Sequence, residues 1–447
     1  MILAEFYNNL AARHKNLEPK INTIANHLIV IYAFALPILI QVRRASLFLL
    51  LLLFIFRGHY YKYFSTALKD PLIRAFAIYF LIHIIWLIGY DGSPYTKQIV
   101  HDAAFMLYPL LFFSFIDQRY IKRILFAFVI GMIFSELVSY AISLQLFNPE
   151  NIEGINGKYY APAPVYGRTH YGFMLATFIV AVFIILRHEN LDKVVHILLS
   201  IILITCTVNI FLAGGRTGPI LLGILVLSYI ILHLRKKQTL YTSVATLFLI
   251  AIFSAAYFFS TTFNTRVNET INSIVLIDTQ DEYATNLGYR VAIIKNSGEI
   301  LRDNWLFGLG TGDQIPQIQE IVSQNDPDIQ VKFIPIQNMH NEYLGALSQF
   351  GIIGLVAFIN ILYQLFKYKS NFFLTRELLP ILAIAALFFT FIDIFTIGLG
   401  ALLVTIFYVS IGLNNYVTND AYFRMLDGRQ LFVYTLLVIF FQSLSYL

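Results

Sequence analysis

Apolar residues gather along this chain in runs of about 17 to 25, the length that crosses the hydrocarbon core of a bilayer, and polar connections separate them. The pattern predicts spans near 24–41, 45–57, 72–90, 99–116, 121–147, 168–187, 193–212, 217–234, 239–260, 343–366, 378–396 and 398–413. The pairs within 24–57 and 378–413 suit hairpins of short or tilted helices. The expectation is therefore an all-α integral membrane protein of about 12 transmembrane helices, with a polytopic domain over residues 1–413 and a tail over 414–447. The apolar segment 431–447 in that tail fits an interfacial helix or a further span. The first 23 residues are polar, and the first apolar run is not followed by a small-residue cleavage site, so no cleavable signal peptide is expected.

One connection differs from the rest. Residues 261–342 are too long for a passive link between the ninth and tenth spans and are read as a folded or substrate-covering element. Within it, 287–302 carries Val291, Ile294, Gly298 and Leu301 on one side of a helix, with Arg290, Lys295 and Arg302 off it. That spacing predicts an amphipathic helix lying near the membrane surface. No internal repeat of the kind that relates transporter halves is apparent.

Composition sharpens the picture. Of 447 residues, 58% are hydrophobic and 13% charged, and the net charge is +5. With a cytoplasmic N-terminus, inward segments hold 20 of the 31 lysines and arginines, as the positive-inside rule requires. The loop 261–342 then faces outward. The net charge reports topology, and without a basic, aromatic-rich polar face it implies no nucleic-acid partner. Cys206, the single cysteine, falls inside an apolar span and reads as packing filler.

The outward basic residues carry the candidate chemistry. Arg168, in Gly167-Arg168-Thr169-His170, opens the sixth span, and Arg216, in Gly214-Gly215-Arg216-Thr217-Gly218-Pro219, opens the eighth. Thr217 is a plausible N-cap and Pro219 suits the first turn. A cation at a helix N-terminus opposes the macrodipole, whereas an anion held there gains from dipole, free backbone N–H groups and guanidinium fork together. His340 occupies the corresponding start of the tenth span, and imidazole is the side chain suited to proton transfer near neutrality. Together with Arg290 they suggest an outward pocket for a polyanion such as a pyrophosphate.

Other motifs point elsewhere or nowhere. Asp326-Pro327-Asp328 has metal-clamp spacing but reads as a solvated turn. Gly308-Leu309-Gly310-Thr311-Gly312 lacks the strand–helix context of a nucleotide loop and suits tight turns or a close backbone approach to substrate. His83, His101 and His170 have no metal-ligand spacing, so neither a metal nor another cofactor is expected. Glu136 is an intramembrane carboxylate expected to pair with Arg or His from another span, and Asp393 is placed to orient His340.

The ordered set Gly-Gly-Arg-Thr-Gly (214–218), Arg290, Trp305-Leu306-Phe307-Gly308-Leu309-Gly310-Thr311-Gly312, His340-Asn341-Glu342-Tyr343-Leu344 and Phe350-Gly351-Ile352-Ile353-Gly354 resembles the O-antigen ligase (WaaL) and O-antigen polymerase (Wzy) superfamily over about 165–360. The resemblance implies a GT-C-like membrane glycosyltransferase in the bacterial inner membrane, with 261–342 as its large periplasmic loop. As a ligase it would move a polysaccharide from undecaprenyl pyrophosphate to a sugar hydroxyl of lipid A–core at the periplasmic face, without metal or nucleotide. Carried over, His340 would be the base, and Arg168, Arg290 and Arg216 would bind pyrophosphate, with His170, Asn341, Glu342 and Asp393 in support. The alternatives are a polymerase joining lipid-linked repeat units and, from another class, a non-enzymatic flippase of lipid-linked oligosaccharides.

Overall fold

The computed structural model describes residues 2–58, 60–88, 92–152, 155, 157–159, 161–164, 167–234, 238–329, 335–370 and 372–393. The expected span 398–413 and the tail 414–447 lie outside these residues. Among them the architecture is all-helical, with one isolated bridge between Lys158 and Ala161.

The helices are α1 (Ile2–Ala35), α2 (Ile40–Arg57), α3 (Tyr60–Ala67), α4 (Pro71–Ile85), α5 (Thr96–Ala103), α6 (Tyr108–Phe115), α7 (Gln118–Ser143), α8 (Arg168–His188), α9 (Lys193–Leu212), α10 (Thr217–His233), α11 (Gln238–Phe259), α12 (Thr261–Gln280), α13 (Gly288–Asn304), α14 (Gln314–Asn325), α15 (Glu342–Lys367) and α16 (Phe373–Phe389). Six segments among the described residues are long and apolar enough to cross a membrane: 96–115, 119–143, 168–188, 193–212, 239–259 and 342–367. The count falls below twelve for visible reasons. Pro71–Ile85 and Thr217–His233 are apolar but shorter, and α2 carries Arg43, Arg44 and Arg57. The expected span at 99–116 is jointed, because a 3₁₀ turn over Ala104–Leu107 separates α5 from α6, which has Pro109 in its first turn. Polar sequence before residue 24 continues the first helix instead of leading into it.

Side-chain caps fix several boundaries. Asp70 accepts from the N–H groups of Leu72 and Ile73 at the start of α4, where Pro71 needs no partner. Ser260 accepts from Phe263 N–H at α12, and Asn341 accepts from Leu344 N–H at α15. Thr217 is the first helical residue of α10, so Arg216 takes the cap position that the sequence assigns to threonine.

Packing divides into two cores. The larger unites α1, α2, α4, α7, α8, α10, α15 and α16, with Tyr32, Phe76, Tyr171, Phe178, Phe350 and Phe389 among its fully buried side chains. The smaller belongs to the long connection, where Tyr289, Ala292, Ile293 and Ile300 of α13 meet Ile315, Ile318 and Val322 of α14, closed by Ile336 and Met339. The connection is thus a folded layer. Helix α13 buries its Ala292–Ile293–Ile300 side in this core, while on the expected apolar side Val291 only packs against the core's edge and Ile294 is 47% exposed. The physical reason is α14, which supplies an apolar partner for the Ala292–Ile293–Ile300 side. Asp326 secures this layer, accepting from Asn296 Nδ2 at 2.7 Å and lying 3.5 Å from Lys295 Nζ.

Two glycine motifs set close backbone crossings. A Cβ at Gly218 would lie 2.9 Å from Gly172 Cα, and one at Gly215 would lie 2.8 Å from the Arg168 carbonyl oxygen, so these glycines let α8 and α10 begin side by side. The second crossing joins Gly308 to Gly351. Their φ values are +70° and +62°, and each hypothetical Cβ would fall within 2.3 Å of backbone atoms, Gln349 for Gly308 and Leu306 for Gly351. Leu309 and Gly310 N–H groups donate to the Ser348 and Gln349 carbonyls, and Ile352 N–H donates to that of Trp305. The glycine-rich stretch therefore docks backbone to backbone on a break in α15, which gives Phe350-Gly351 its purpose.

Candidate functional site

Four segments converge where α8, α10, α13 and α15 begin. Because Gly215 and Gly218 hold α8 against α10, Arg168 and Arg216 emerge together. The small core holds α13 so that Arg290 faces them, and Met339 of that core anchors the turn before α15. Arg168, Arg216, Arg290 and His340 all line one open cavity of about 1390 Å³, solvent-filled mouth included. Thr169, Asn286, Tyr289 and the apolar Ile220, Leu287, Val291 and Ile294 complete much of its wall. The face of α13 left out of the core is thus the one that borders the cavity.

His340 sits at a corner. Its φ is +47°, a left-handed conformation that a non-glycine residue adopts at a cost. Neighbours over-determine it: His340 N–H donates to Asn338 Oδ1 at 2.9 Å, and Asn341 caps α15. Glu342 N–H donates to the Thr390 carbonyl at 2.9 Å, which ties the start of α15 to the end of α16 and carries Asp393 toward the imidazole. Asp393 Oδ1 lies 3.7 Å from His340 Nδ1, beyond hydrogen-bond length, and the Tyr289 ring stands edge-on to the imidazole at 5.6 Å between centroids.

Arginine environments differ. Arg216 Nη2 lies 3.0 Å from Glu269 Oε2 on α12, and the same carboxylate holds Arg266 Nη1 at 2.7 Å. Burial pushes the Glu269 carboxyl up, but hydrogen bonds and charge from Arg266 and Arg216 outweigh it, and its pKa is lowered. Arg168 and Arg290 make no salt bridge among the described residues. Burial pulls the Arg290 guanidinium pKa down, Asp393 draws it back up, and Arg216 lowers it further. Burial pushes the Tyr289 phenol up to about 12, which keeps it a neutral donor.

A second cavity, about 870 Å³ with its mouth, lies across the His340–Asp393 contact. His170, Asn341, Glu342 and Asp393 line it, flanked by Met339 and Asn338 on the His340 turn. The structure therefore sorts the sequence-derived residues into two groups: three arginines and His340 in one cavity, the four supporting residues in the other. Arg266, 13% exposed and also lining the first cavity, escaped the sequence reading because only arginines at span starts stood out.

Two other expectations, on Glu136 and Asp326, resolve differently. Glu136 accepts from Cys206 Sγ at 3.0 Å, with Thr205 also beside it, and no Arg or His pairs with it among the described residues, so Cys206 is a donor as well as filler. Asp326 is buried and bound to α13, not a solvated turn residue. His83 is wholly buried on α4, its Nδ1 2.8 Å from the Tyr79 carbonyl, within a ring cluster with Tyr79 and Phe350.

Residues 199–359 match the family model described as O-antigen ligase. The match spans the Arg216 motif, Arg290, the glycine-rich stretch and His340, and it supports the O-antigen ligase and polymerase superfamily. No curated protein matches the chain.

Proposed function

We propose that this chain is an O-antigen ligase: a membrane glycosyltransferase that moves a polysaccharide from undecaprenyl pyrophosphate to a sugar hydroxyl of lipid A–core at the periplasmic face of the inner membrane. The observation that carries the reading is the single cavity lined by Arg168, Arg216, Arg290 and His340. Pyrophosphate lies between the arginines, and the apolar side of α13 borders the prenyl chain.

The chemistry follows from those side chains. The acceptor hydroxyl attacks the anomeric carbon, the bond from that carbon to the pyrophosphate oxygen breaks, and the hydroxyl proton passes to His340. Asp393 opposite Nδ1 favours the tautomer protonated there, which leaves Nε2 as the base. Negative charge grows on the departing pyrophosphate, where pre-set guanidinium groups stabilise it without reorganisation. With four arginines on the cavity wall and two carboxylates, Glu269 and Asp393, beside them, the local balance suits an anion.

Deletion of the encoding gene tests the reading. A ligase predicts that lipid-linked polymer accumulates while lipid A–core stays bare. Attachment of a single repeat unit would indicate a polymerase instead. Normal attached polymer in the deletion strain would remove both.

A further inference from the structure

The second cavity has a chemistry unlike the first. Gln98, Gln314, Gln337, Asn338 and Gln349 supply side-chain amides, and Asp102, Glu342 and Asp393 supply carboxylates. Lys and Arg are absent from its lining among the described residues, and His170 is the imidazole there, with His101 Nδ1 3.4 Å from Asp102 Oδ1 nearby. Two of the glutamines are more than nine-tenths buried, Gln314 at 2% and Gln349 at 6% exposure, and each leaves its Oε1 without a hydrogen-bond partner among the described residues. Gln349 is held in place by its Nε2, which donates to the Gly345 carbonyl at 3.1 Å. Buried carbonyl oxygens without donors are costly in an apo protein unless a ligand supplies the donors.

Amides with carboxylates, in a concavity with Tyr95 and Ile99 on its wall, form a surface for hydroxyl-rich rings. A phosphate or a sugar carboxylate would meet the carboxylates of Asp102, Glu342 and Asp393 on a wall that, among the described residues, presents no lysine or arginine of its own. We propose that this cavity is the acceptor-sugar subsite and that it selects an uncharged or amino-bearing sugar over an anionic one. The proposal rests on the glycosyl-transfer reading: the acceptor ring lies on the amide side, and its hydroxyl extends past Asp393 into the first cavity, where His340 stands.

The test separates binding from transfer. Purified full-length protein in lipid nanodiscs is titrated with chitobiose, maltose and digalacturonate by saturation-transfer NMR, and donor-dependent transfer is followed in parallel. The expected result is that chitobiose or maltose binds at least tenfold more tightly than digalacturonate. Gln98→Ala/Gln337→Ala, at two exposed lining positions, should weaken that binding by about tenfold, since each removes a neutral hydrogen-bonding group. In transfer, the double variant should raise the acceptor KM and leave the donor KM unchanged. Gln98→Lys should narrow the preference against digalacturonate. Tighter binding of digalacturonate by the wild type, or neutral-sugar binding unchanged in the double variant, overturns the subsite. If sugars bind as expected but no lipid-linked donor is ever consumed, the glycosyl-transfer reading fails and the sugar site stands.

Discussion

Arg290 offers the most quantitative test of the cation cluster. A guanidinium can hold two pyrophosphate oxygens through parallel charge-assisted hydrogen bonds, each worth roughly 1.5–3 kcal/mol. Lysine keeps the charge and one bond, so Arg290→Lys should cost about 1.5–3 kcal/mol in kcat/KM for the donor, or roughly 10- to 100-fold. Alanine loses both bonds and leaves Asp393 facing the pyrophosphate, so Arg290→Ala should cost about 3–6 kcal/mol, on the order of 10²- to 10⁴-fold. Stability should move the other way or not at all. Arg290 is partly buried and unpaired by any salt bridge among the described residues, and burial acts against its charged form. Removing such a charge relieves desolvation, so the thermal midpoint of the alanine variant should equal or exceed that of the wild type. Initial rates with purified enzyme in lipid, at varied donor concentration, give the kinetic ratios, and thermal unfolding gives the midpoint. A lysine variant within threefold of wild type, or an alanine variant that is markedly less stable, would refute the fork and make Arg290 a structural anchor.

Three further outcomes follow from the same geometry. His340→Ala should lower transfer by about 10²- to 10⁴-fold while donor binding persists, as measured by single-turnover assays beside a lipid-donor binding isotherm; retention of activity within a few-fold removes it as base. Because the folded pKa of Glu269 is depressed, its ties to Arg216 and Arg266 are present above the ordinary carboxylate range and are lost only as pH falls through the lowered value. A Glu269→Gln pH–rate profile between pH 5 and 8 should therefore run parallel to wild type, and a new acid limb in that window would contradict the assignment. Gly218→Val should push α8 from α10 and cost about 1–3 kcal/mol of overpacking, seen as a lower thermal midpoint and weaker donor binding, whereas unaltered values would show that the close crossing with Gly172 does not set the site.

Different parts of this molecule were legible for different reasons. Arg168 and Arg216 stood out because arginines at outward helix starts defy the macrodipole, and His340 because it opens an apolar helix. The helix at 287–302 was visible from its spacing, but its second apolar side, Ala292 with Ile293, gained meaning only from α14, which packs against it. Span counting faltered where short helices and the jointed 96–115 segment share one hydropathy signature with full spans. Arg266 and the amides of the second cavity were hidden because a glutamine far from any motif, such as Gln98, gains meaning only beside Gln314 and Gln337 in space. The glycine-rich stretch after Phe307 was read as allowing tight turns or close approach to substrate, whereas the backbone it meets is that of the broken helix α15.

The placement of His340 and Asp393 between two concavities also constrains the order of events. His340 lines the donor cavity and Asp393, 3.7 Å away, lines the amide cavity, so donor and acceptor reside together and the sugar passes directly from one to the other in a ternary complex. Families of double-reciprocal plots should then intersect, and product inhibition by free prenyl pyrophosphate should be competitive with the donor alone. With the amide-lined cavity empty, water stands in the place of the acceptor hydroxyl. The rate of futile donor hydrolysis then becomes a measure of how well that chamber is filled.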